Sequence, residues 1–172
     1  MTFTEPYTVK GFQMKQILVP IDFSDTTAPI IQTVETMAKG FDCAIHYLHV
    51  TPSVGNVDEC DLQRHSQGLF AQNFPKEHGR ITALAENLRQ RGCEADAILL
   101  QGPVVKVILH EAERLNADFV IIGSHGHGAL YDMLVGSVCE GVLRKSKCPV
   151  IVVPGSNRDA DQAAVRREAE GA

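Results

Sequence analysis

Short apolar runs recur along the chain, and segments with helical spacing separate each run from the next. The clearest run, DFVIIG at residues 118–123, is continuously apolar, as strands buried on both faces of a parallel sheet are. Together the runs predict five strands, at residues 15–21, 44–50, 94–100, 118–123 and 149–154. Because strand, helix and strand in succession form a right-handed crossover, this alternation predicts a doubly wound α/β fold, a parallel sheet with helices on both faces.

The segments between the runs predict the helices. The first has capping residues at positions 25–27 and ends at Gly40. The second carries an apolar stripe over residues 81–88 and is expected to begin near Pro75, because residues 53–68 are polar and contain glycine. Further helices are predicted after Pro103, from Ser137 onward, and at residues 163–169.

Length and composition fit a single domain. The 172 residues are 44% hydrophobic and 22% charged, which is enough apolar material for one ordinary core. We expect that domain to occupy residues 15–154, between an N-terminal extension at residues 1–14 and a polar C-terminal tail at residues 155–172.

Charge argues against a nucleic-acid partner, and hydropathy argues against membrane insertion. The formal charge is −5 and the longest basic run is Arg144-Lys145, so the chain lacks the basic field that a nucleic acid requires. No window approaches the roughly 20 apolar residues of a membrane span, and Met1 to Met14 lacks the pattern of a secretion signal. We expect a cytoplasmic protein with no membrane insertion and no nucleic-acid partner.

Cysteine and histidine spacing argues against a metal site built by the protein itself. The cysteines at positions 43, 60, 93, 139 and 148 include no C-x-x-C pair, so we interpret them as free thiols. His125 and His127 alternate on a loop, but the chain has neither H-E-x-x-H nor a closed four-ligand spacing.

The loop after the fourth predicted strand carries the strongest site signal. It reads GSHGHGALYDMLVGSV, with glycines at positions 123, 126, 128 and 136 before Ser137. Glycines let backbone amides approach phosphate oxygens, and a helix that begins at Ser137 presents unpaired amides and the positive end of its dipole. The loop therefore predicts an anion cradle; the alternative is a glycine-rich surface loop without a ligand.

A second loop, PIDFSDTT, follows the first predicted strand and places Asp22 at the mouth of the expected cleft. Ligands of open α/β sheets bind beyond the carboxyl ends of the strands, so the Asp22 carboxylate could accept from nucleotide hydroxyls or contact Mg²⁺. For Asp25 we favour the simpler role of capping the next helix.

These residues resemble the universal stress protein family, whose nucleotide-binding members carry G-x2-G-x9-G-[S/T] between the fourth strand and the last helix. Gly123, Gly126, Gly136 and Ser137 match the motif in full. The leading KQILVPIDFS and the closing KSKCPVIVV are also similar, and the resemblance extends over residues 15–154.

The resemblance implies the strand order 3-2-1-4-5, with a switch point between the first and fourth strands, and a site for ATP or AMP. Carried over by position, the site residues are Pro20, Ile21 and Asp22 beside adenosine, Val50 at the base, Gly123, Gly126, Gly136, Ser137 and Val138 at the phosphates, and Ile122 and His125 as secondary contacts. Where such proteins often have Arg or Lys, this chain has His127, which implies weaker or pH-dependent phosphate binding.

The resemblance further implies a nucleotide-dependent regulator or sensor of stress and a homodimer formed through the fifth strand, Val150, Ile151, Val152 and Val153. Two alternatives stay open. One is a nucleotide-free dimeric interaction module that docks to an unidentified protein partner, and the other is slow ATP hydrolysis or phosphotransfer. Vigorous catalysis is not expected, because residues 116–143 contain no Lys or Arg and no G-x-x-x-x-G-K-[S/T] is present.

Other protein classes with a doubly wound sheet require different residues in these loops. A response-regulator receiver needs an aspartate at the end of the third strand, where this chain has Leu100-Gln101. A flavodoxin or a dinucleotide-binding fold needs its phosphate loop after the first strand, where DFSDTT contains no glycine.

Overall fold

The computed structural model describes residues 14–40, 42–51, 59–125 and 135–155, with side chains described from residue 75 onward in the second helix. The strands are β1 (Lys15–Pro20), β2 (Cys43–Thr51), β3 (Glu94–Gln101), β4 (Phe119–Gly123) and β5 (Val150–Val153). The helices are α1 (Thr27–Gly40), α2 (Glu59–Gln90), α3 (Val104–Arg114) and α4 (Ser137–Lys145).

The strands form one parallel sheet in the order β3-β2-β1-β4-β5, which confirms the predicted fold and strand order. β1 is the central strand, where Leu18 lies opposite His46 of β2 and Val120 of β4. The chain first winds outward from β1 through β2 to β3 and then returns to the other side of β1 for β4 and β5. The carboxyl ends of β1 and β4 therefore meet at the switch point.

Alternate residues of the central strand enter two separate cores. Ile17 and Val19 pack with residues of α1 and α2 on one face of the sheet, whereas Leu18 packs with residues of α3 and α4 on the other. All three side chains are almost completely buried. Because both faces are covered, β1 shows a continuous apolar run instead of the alternation of a half-exposed strand.

The α2 helix differs from its sequence prediction. It begins at Glu59 and contains Pro75, whereas the pattern placed its start near Pro75. The apolar stripe that indicated this helix contains the buried residues Ile81, Ala85 and Leu88, which lie in the second half of α2. The earlier half contains good helix formers such as Glu, Leu, Gln and Ala, so it can be helical without an apolar stripe.

Some predicted segments cannot be compared with the structure. The helix predicted at residues 163–169, nearly all of the N-terminal extension, and most of the C-terminal tail lie outside the described residues. In the described part of the chain, no helix is long and apolar enough to cross a membrane.

Asp118 joins the amino-terminal ends of the two central strands. One carboxylate oxygen lies 2.8 Å from the Lys15 ammonium, and the other accepts from the Gln16 amide at 2.9 Å. The Asp118 amide in turn donates to the Gln16 carbonyl at 2.8 Å. The bond from Lys15, reinforced by the Gln16 amide, lowers the pKa of the Asp118 carboxyl, because both donors favour its ionised form.

We expect Asp118→Asn to lower the free energy of unfolding by about 1 kcal/mol at pH 7, since the charged acceptor is lost from a partly exposed site. The lowered pKa means that ionised Asp118 stabilises the fold above its unfolded pKa, and that this contribution disappears as the pH falls through its folded pKa. Urea unfolding of both proteins between pH 7 and pH 3 measures the difference. A difference that does not shrink toward acidic pH would contradict this role for the carboxylate.

Candidate functional site

The turn after β1 is shaped by the Asp22 carboxylate. Asp22 Oδ1 accepts from the Ser24 amide at 3.0 Å and from the Ser24 hydroxyl at 2.6 Å. Phe23, between them, has a φ of 61°, in the left-handed region that side chains seldom occupy. Asp22 remains exposed at the end of the strand, as predicted, but part of its hydrogen-bonding capacity supports the turn.

Thr26 connects this turn to the loop that follows β4. Its side chain is buried, its hydroxyl donates to the His125 carbonyl at 3.3 Å, and it shares a hydrogen bond with the Ser24 hydroxyl at 2.9 Å. The two loops selected from the sequence therefore lie against each other at the switch point. Sequence reasoning did not single out Thr26, because nothing in its local pattern distinguishes it from an ordinary capping residue.

Gly123, the last residue of β4, is the site of closest approach between the loops. A Cβ atom at this position would lie 2.6 Å from the Thr26 hydroxyl oxygen and 2.8 Å from the Thr26 Cβ. Both distances are well inside van der Waals contact, and a buried Thr26 cannot move aside freely. Glycine at position 123 is thus required by packing within the protein, whatever its role toward a ligand.

Ser124 holds the start of α4 near the end of β4. Its amide donates to the Val153 carbonyl of β5 at 2.8 Å, and its carbonyl accepts from the Gly136 amide at 2.6 Å. Gly136 is the N-cap of α4 and has no side chain to cap the helix. A Cβ at Gly136 would lie 3.1 Å from the His125 Cα, so the space there is closed to larger residues.

The first turn of α4 has the properties of an anion site. Helical geometry leaves its first amides without intrahelical acceptors, and the helix dipole adds partial positive charge at that end. Ser137, its first residue, is exposed, whereas Val138 packs partly against the core beside α3 and α4. An incoming anion could therefore be bound by the exposed amides and the Ser137 hydroxyl.

His125 lies between the two loops and the end of β5. Its Nδ1 lies 2.9 Å from the Ser124 hydroxyl, and its Nε2 lies 3.7 Å from an Asp25 carboxylate oxygen. A Cβ at Gly155 would come within 2.5 Å of the imidazole ring, so Gly155 packs directly against it. His125 is thus partly engaged within the protein, and its predicted nucleotide contact stays a prediction.

The predicted adenosine contacts are mostly buried wall residues. Ile21, Val50 and Ile122 are 3%, 9% and 5% exposed, so they can offer only small apolar surfaces to a base. Pro20 ends β1 and is partly exposed. Gly126 and His127 lie outside the described residues, so their predicted phosphate contacts stay predictions.

His49, which the sequence reasoning did not assign, supports the loop from behind. Its Nδ1 lies 2.6 Å from the Ile21 carbonyl, which can only accept, so Nδ1 carries the proton. Its Nε2 lies 3.8 Å from a Glu77 carboxylate oxygen of α2, and its ring centroid is 4.8 Å from that of Phe23. The Arg80 guanidinium of α2 lies 3.8 Å from the centre of the Phe23 ring. This cation–π contact holds the turn after β1 against α2.

A groove of about 450 Å³ lies elsewhere, over the edge strand β3. Its lining residues are His46, His78, Thr82, Arg89, Asp96, Ala97, Ile98, Arg114 and Leu115. The basic groups are largely compensated: the Arg89 guanidinium lies 3.4 Å from the Asp96 carboxylate, and that of Arg114 lies 2.7 Å from Glu111. This groove therefore presents no clear ligand chemistry and is separate from the switch point.

His46, in this groove, is an ordinary structural histidine. Its Nε2 bonds to the Gln16 side-chain oxygen at 2.7 Å. Burial lowers the pKa of His46, more than the nearby Asp96 carboxylate raises it, so the ring favours its neutral form. Within the described ranges, no three histidine, cysteine or acidic side chains gather in a group that could hold a metal ion.

Comparison with known proteins agrees with this architecture. The model of the universal stress protein family matches residues 14–154. Universal stress protein MJ0531 of Methanocaldococcus jannaschii is 31% identical over 142 residues, which cover 81% of each chain. The solved structure of MJ0577 has a TM-score of 0.73 and 28% identity, and the match covers 83% of this chain and 97% of that one.

Two further solved structures are complexes with nucleotides. A universal stress protein from Archaeoglobus fulgidus in complex with dAMP has a TM-score of 0.55 and 20% identity, and the match covers 83% of this chain and 98% of that one. A universal stress protein in complex with cAMP has a TM-score of 0.56 and 19% identity, with 82% and 97% covered. At these identities the likeness concerns the fold alone.

The parallel sheet, its switch point between β1 and β4, and the glycine-capped helix beside it define a doubly wound α/β protein. The family match over most of the chain makes the assignment more specific. The chain belongs to the universal stress protein family, as its motif predicted.

Replacing Gly123 tests how the two loops fit together. Gly123→Ala should lower the free energy of unfolding by about 2 kcal/mol, because its methyl group would overlap Thr26. The matched control is Gly79→Ala on the exposed side of α2, where a Cβ has no heavy atom within 4 Å. That change should stabilise by about 0.5 kcal/mol through helix propensity. Chemical denaturation measures both, and equal effects would contradict the packing constraint at Gly123.

Proposed function

We propose that the protein binds an adenine nucleotide, ATP or AMP, at the switch point and acts as a nucleotide-dependent regulator or sensor in a stress response. The observation that carries this proposal is the placement of the α4 N-terminus. The Gly136 amide donates to the Ser124 carbonyl, so the first-turn amides beginning at Ser137 lie close to the carboxyl ends of the central strands. Phosphate groups bind readily at such helix ends.

The chemistry of the residues present fits a nucleotide. Gly136 packs so closely against His125 that a Cβ there would lie 3.1 Å from the His125 Cα, so the start of α4 is held firmly beside the loop after β4. Asp22 is exposed at the opposite loop and could accept from ribose hydroxyls or contact an Mg²⁺ ion bound with the phosphates. Gly126, His127 and Val138 would complete the phosphate side, as the family motif implies.

The related proteins support the chemical class of the ligand. One structural relative is described in complex with dAMP and another with cAMP, and both ligands combine adenine, a sugar and a phosphate. The full motif of Gly123, Gly126, Gly136 and Ser137 extends this inference to the present chain. We propose ATP or AMP as the ligand, and we place the protein in the cytoplasm.

We expect slow hydrolysis at most. Efficient phosphoryl transfer requires positive charge around the transferring group, and residues 116–143 contain no Lys or Arg. His125, between the two loops, lies 2.9 Å from the Ser124 hydroxyl and 3.7 Å from an Asp25 carboxylate oxygen. Nucleotide binding would therefore serve to change the state of the protein and not to sustain turnover.

Ser137→Asp provides a direct test of the nucleotide site. The new carboxylate would repel phosphate and reduce ATP affinity by about tenfold or more, while acidic residues in the first turn stabilise a helix. We therefore expect binding to weaken with no loss of thermal stability. Calorimetric titration of nucleotide-free protein with ATP and AMP, each with and without Mg²⁺, measures the affinities.

The matched control is Thr36→Asp, which adds the same charge to an exposed position near the far end of α1. This variant should bind as the unmodified protein does. Equal affinities in all three proteins would reject the α4 site. Absence of binding in demonstrably empty wild-type protein would instead favour the nucleotide-free interaction module.

A dimer through β5 is the second part of the proposal. β5 is an edge strand, and Val150, Ile151 and Val152 are only partly buried in the single chain. An apolar edge of this kind can continue its sheet with a second copy. The protein partner that a dimeric module would recruit has no chemical signature in the described residues.

Light scattering after size exclusion should give about twice the 18.8 kDa mass of the chain. Val152→Glu should shift the protein toward the monomer, because a charge would be buried between the paired edges. Leu143→Glu is the control, since Leu143 is an exposed apolar residue on α4. A wild-type monomer, or a Val152→Glu variant that stays dimeric and folded, would reject the β5 interface.

A further inference from the structure

Two cysteines lie side by side at the amino-terminal end of the sheet. Cys43 is the first residue of β2, and Cys93 immediately precedes β3. In the parallel register, Ala44 lies opposite Glu94, and the pairing continues along both strands. Extending that register by one residue places Cys43 opposite Cys93.

The two thiols also share one face of the sheet. Cys43 belongs to the core beside α1 and α2, and Cys93 packs against that same core. Neighbouring strands are about 4.8 Å apart, which lies within the Cα separations that disulfides span. Both cysteines are reduced in the structure.

The two cysteines differ in how far they are exposed to solvent. Cys43 is only 6% exposed, and burial, followed by the neighbouring Cys93, raises the pKa of its thiol. Cys93 is more exposed and lies in the turn after α2, next to Gly92 with its φ of 82°. A small oxidant therefore reaches Cys93 first, while Cys43 remains a protonated thiol beside it.

The turn gives Cys93 room to adjust. Its amide donates to the Leu88 carbonyl at 3.1 Å, and regular strand pairing begins one residue later, at Glu94. Two cysteines within a rigid pair of strands would need to distort the sheet to reach disulfide geometry. Here the turn can supply the movement.

We propose that Cys43 and Cys93 form a reversible disulfide when the protein meets a peroxide. The Cys93 thiolate attacks one peroxide oxygen, the O–O bond breaks, and the departing hydroxide takes up a proton to become water, which leaves a sulfenic acid. The Cys43 sulfur then attacks the Cys93 sulfur, and the S–OH bond breaks. The released hydroxide takes the Cys43 proton, so two thiols and one peroxide give one disulfide and two waters.

The cross-link would fasten two turns at the end of the sheet opposite the proposed nucleotide site. It closes a chain segment that contains all of α2, and α2 also carries Glu77 and Arg80 against the turn after β1. Closing a long segment reduces the conformational freedom of the unfolded chain. The oxidised protein would therefore resist unfolding more strongly than the reduced one.

The test treats the reduced, folded protein with equimolar hydrogen peroxide, followed by peptide mapping without reductant. We expect a mass loss of two hydrogens, a peptide that links Cys43 to Cys93, and a melting temperature higher by roughly 5 °C, all reversed by dithiothreitol. A Cys93 that becomes sulfinic or sulfonic acid without a cross-link, or that pairs with another cysteine, would overturn the proposal.

Three variants identify the participants. Cys93→Ser should abolish the cross-link, and Cys43→Ala should leave a Cys93 sulfenic acid that dimedone traps. Cys148→Ser is the matched control, because Cys148 is also a partly buried free thiol, and it should cross-link like wild type. Loss of the cross-link in the Cys148→Ser variant would contradict the pairing of Cys43 with Cys93. So would a Cys43→Ala variant whose Cys93 is not labelled by dimedone. Because these two results come from different variants, the proposal stays testable even if one of them folds poorly.

Discussion

The contact between Gly123 and Thr26 determines how the loops at the switch point fit together. The loops after β1 and β4 can meet only because position 123 has no side chain and because the Thr26 hydroxyl donates to the His125 carbonyl. The bond from the Gly136 amide to the Ser124 carbonyl then places α4 beside the joined loops. Without this close approach, the two loops and the start of α4 would lie apart at the end of the sheet.

The sequence predicted the parts of the fold that depend on local pattern. Apolar or alternating runs indicated the five strands, and the family resemblance implied their order. The start of α2 was missed because residues 53–68 are polar and contain glycine, and because Pro75, inside the helix, resembled a start signal.

The sequence predicted that the loops after β1 and β4 would face each other, but not the contacts that join them. Asp22 and Ser137 were placed at the correct strand and helix ends, because those positions follow from chain direction alone. The supporting roles of Thr26 and His49 depend on contacts with residues 99 and 28 positions away in the chain, respectively. Long-range contacts of this kind are set by packing, so no local pattern could have indicated them.

The end of β5 is in contact with the same loop. The Val153 carbonyl accepts from the Ser124 amide, and Gly155 packs on the His125 ring. A ligand that shifts His125 would therefore shift the strand edge through which we propose a second copy pairs. Thermodynamic linkage makes such coupling reciprocal: if a nucleotide strengthens dimerisation by some factor, dimerisation strengthens nucleotide binding by the same factor. The concentration of the protein itself would then set the nucleotide level to which it responds.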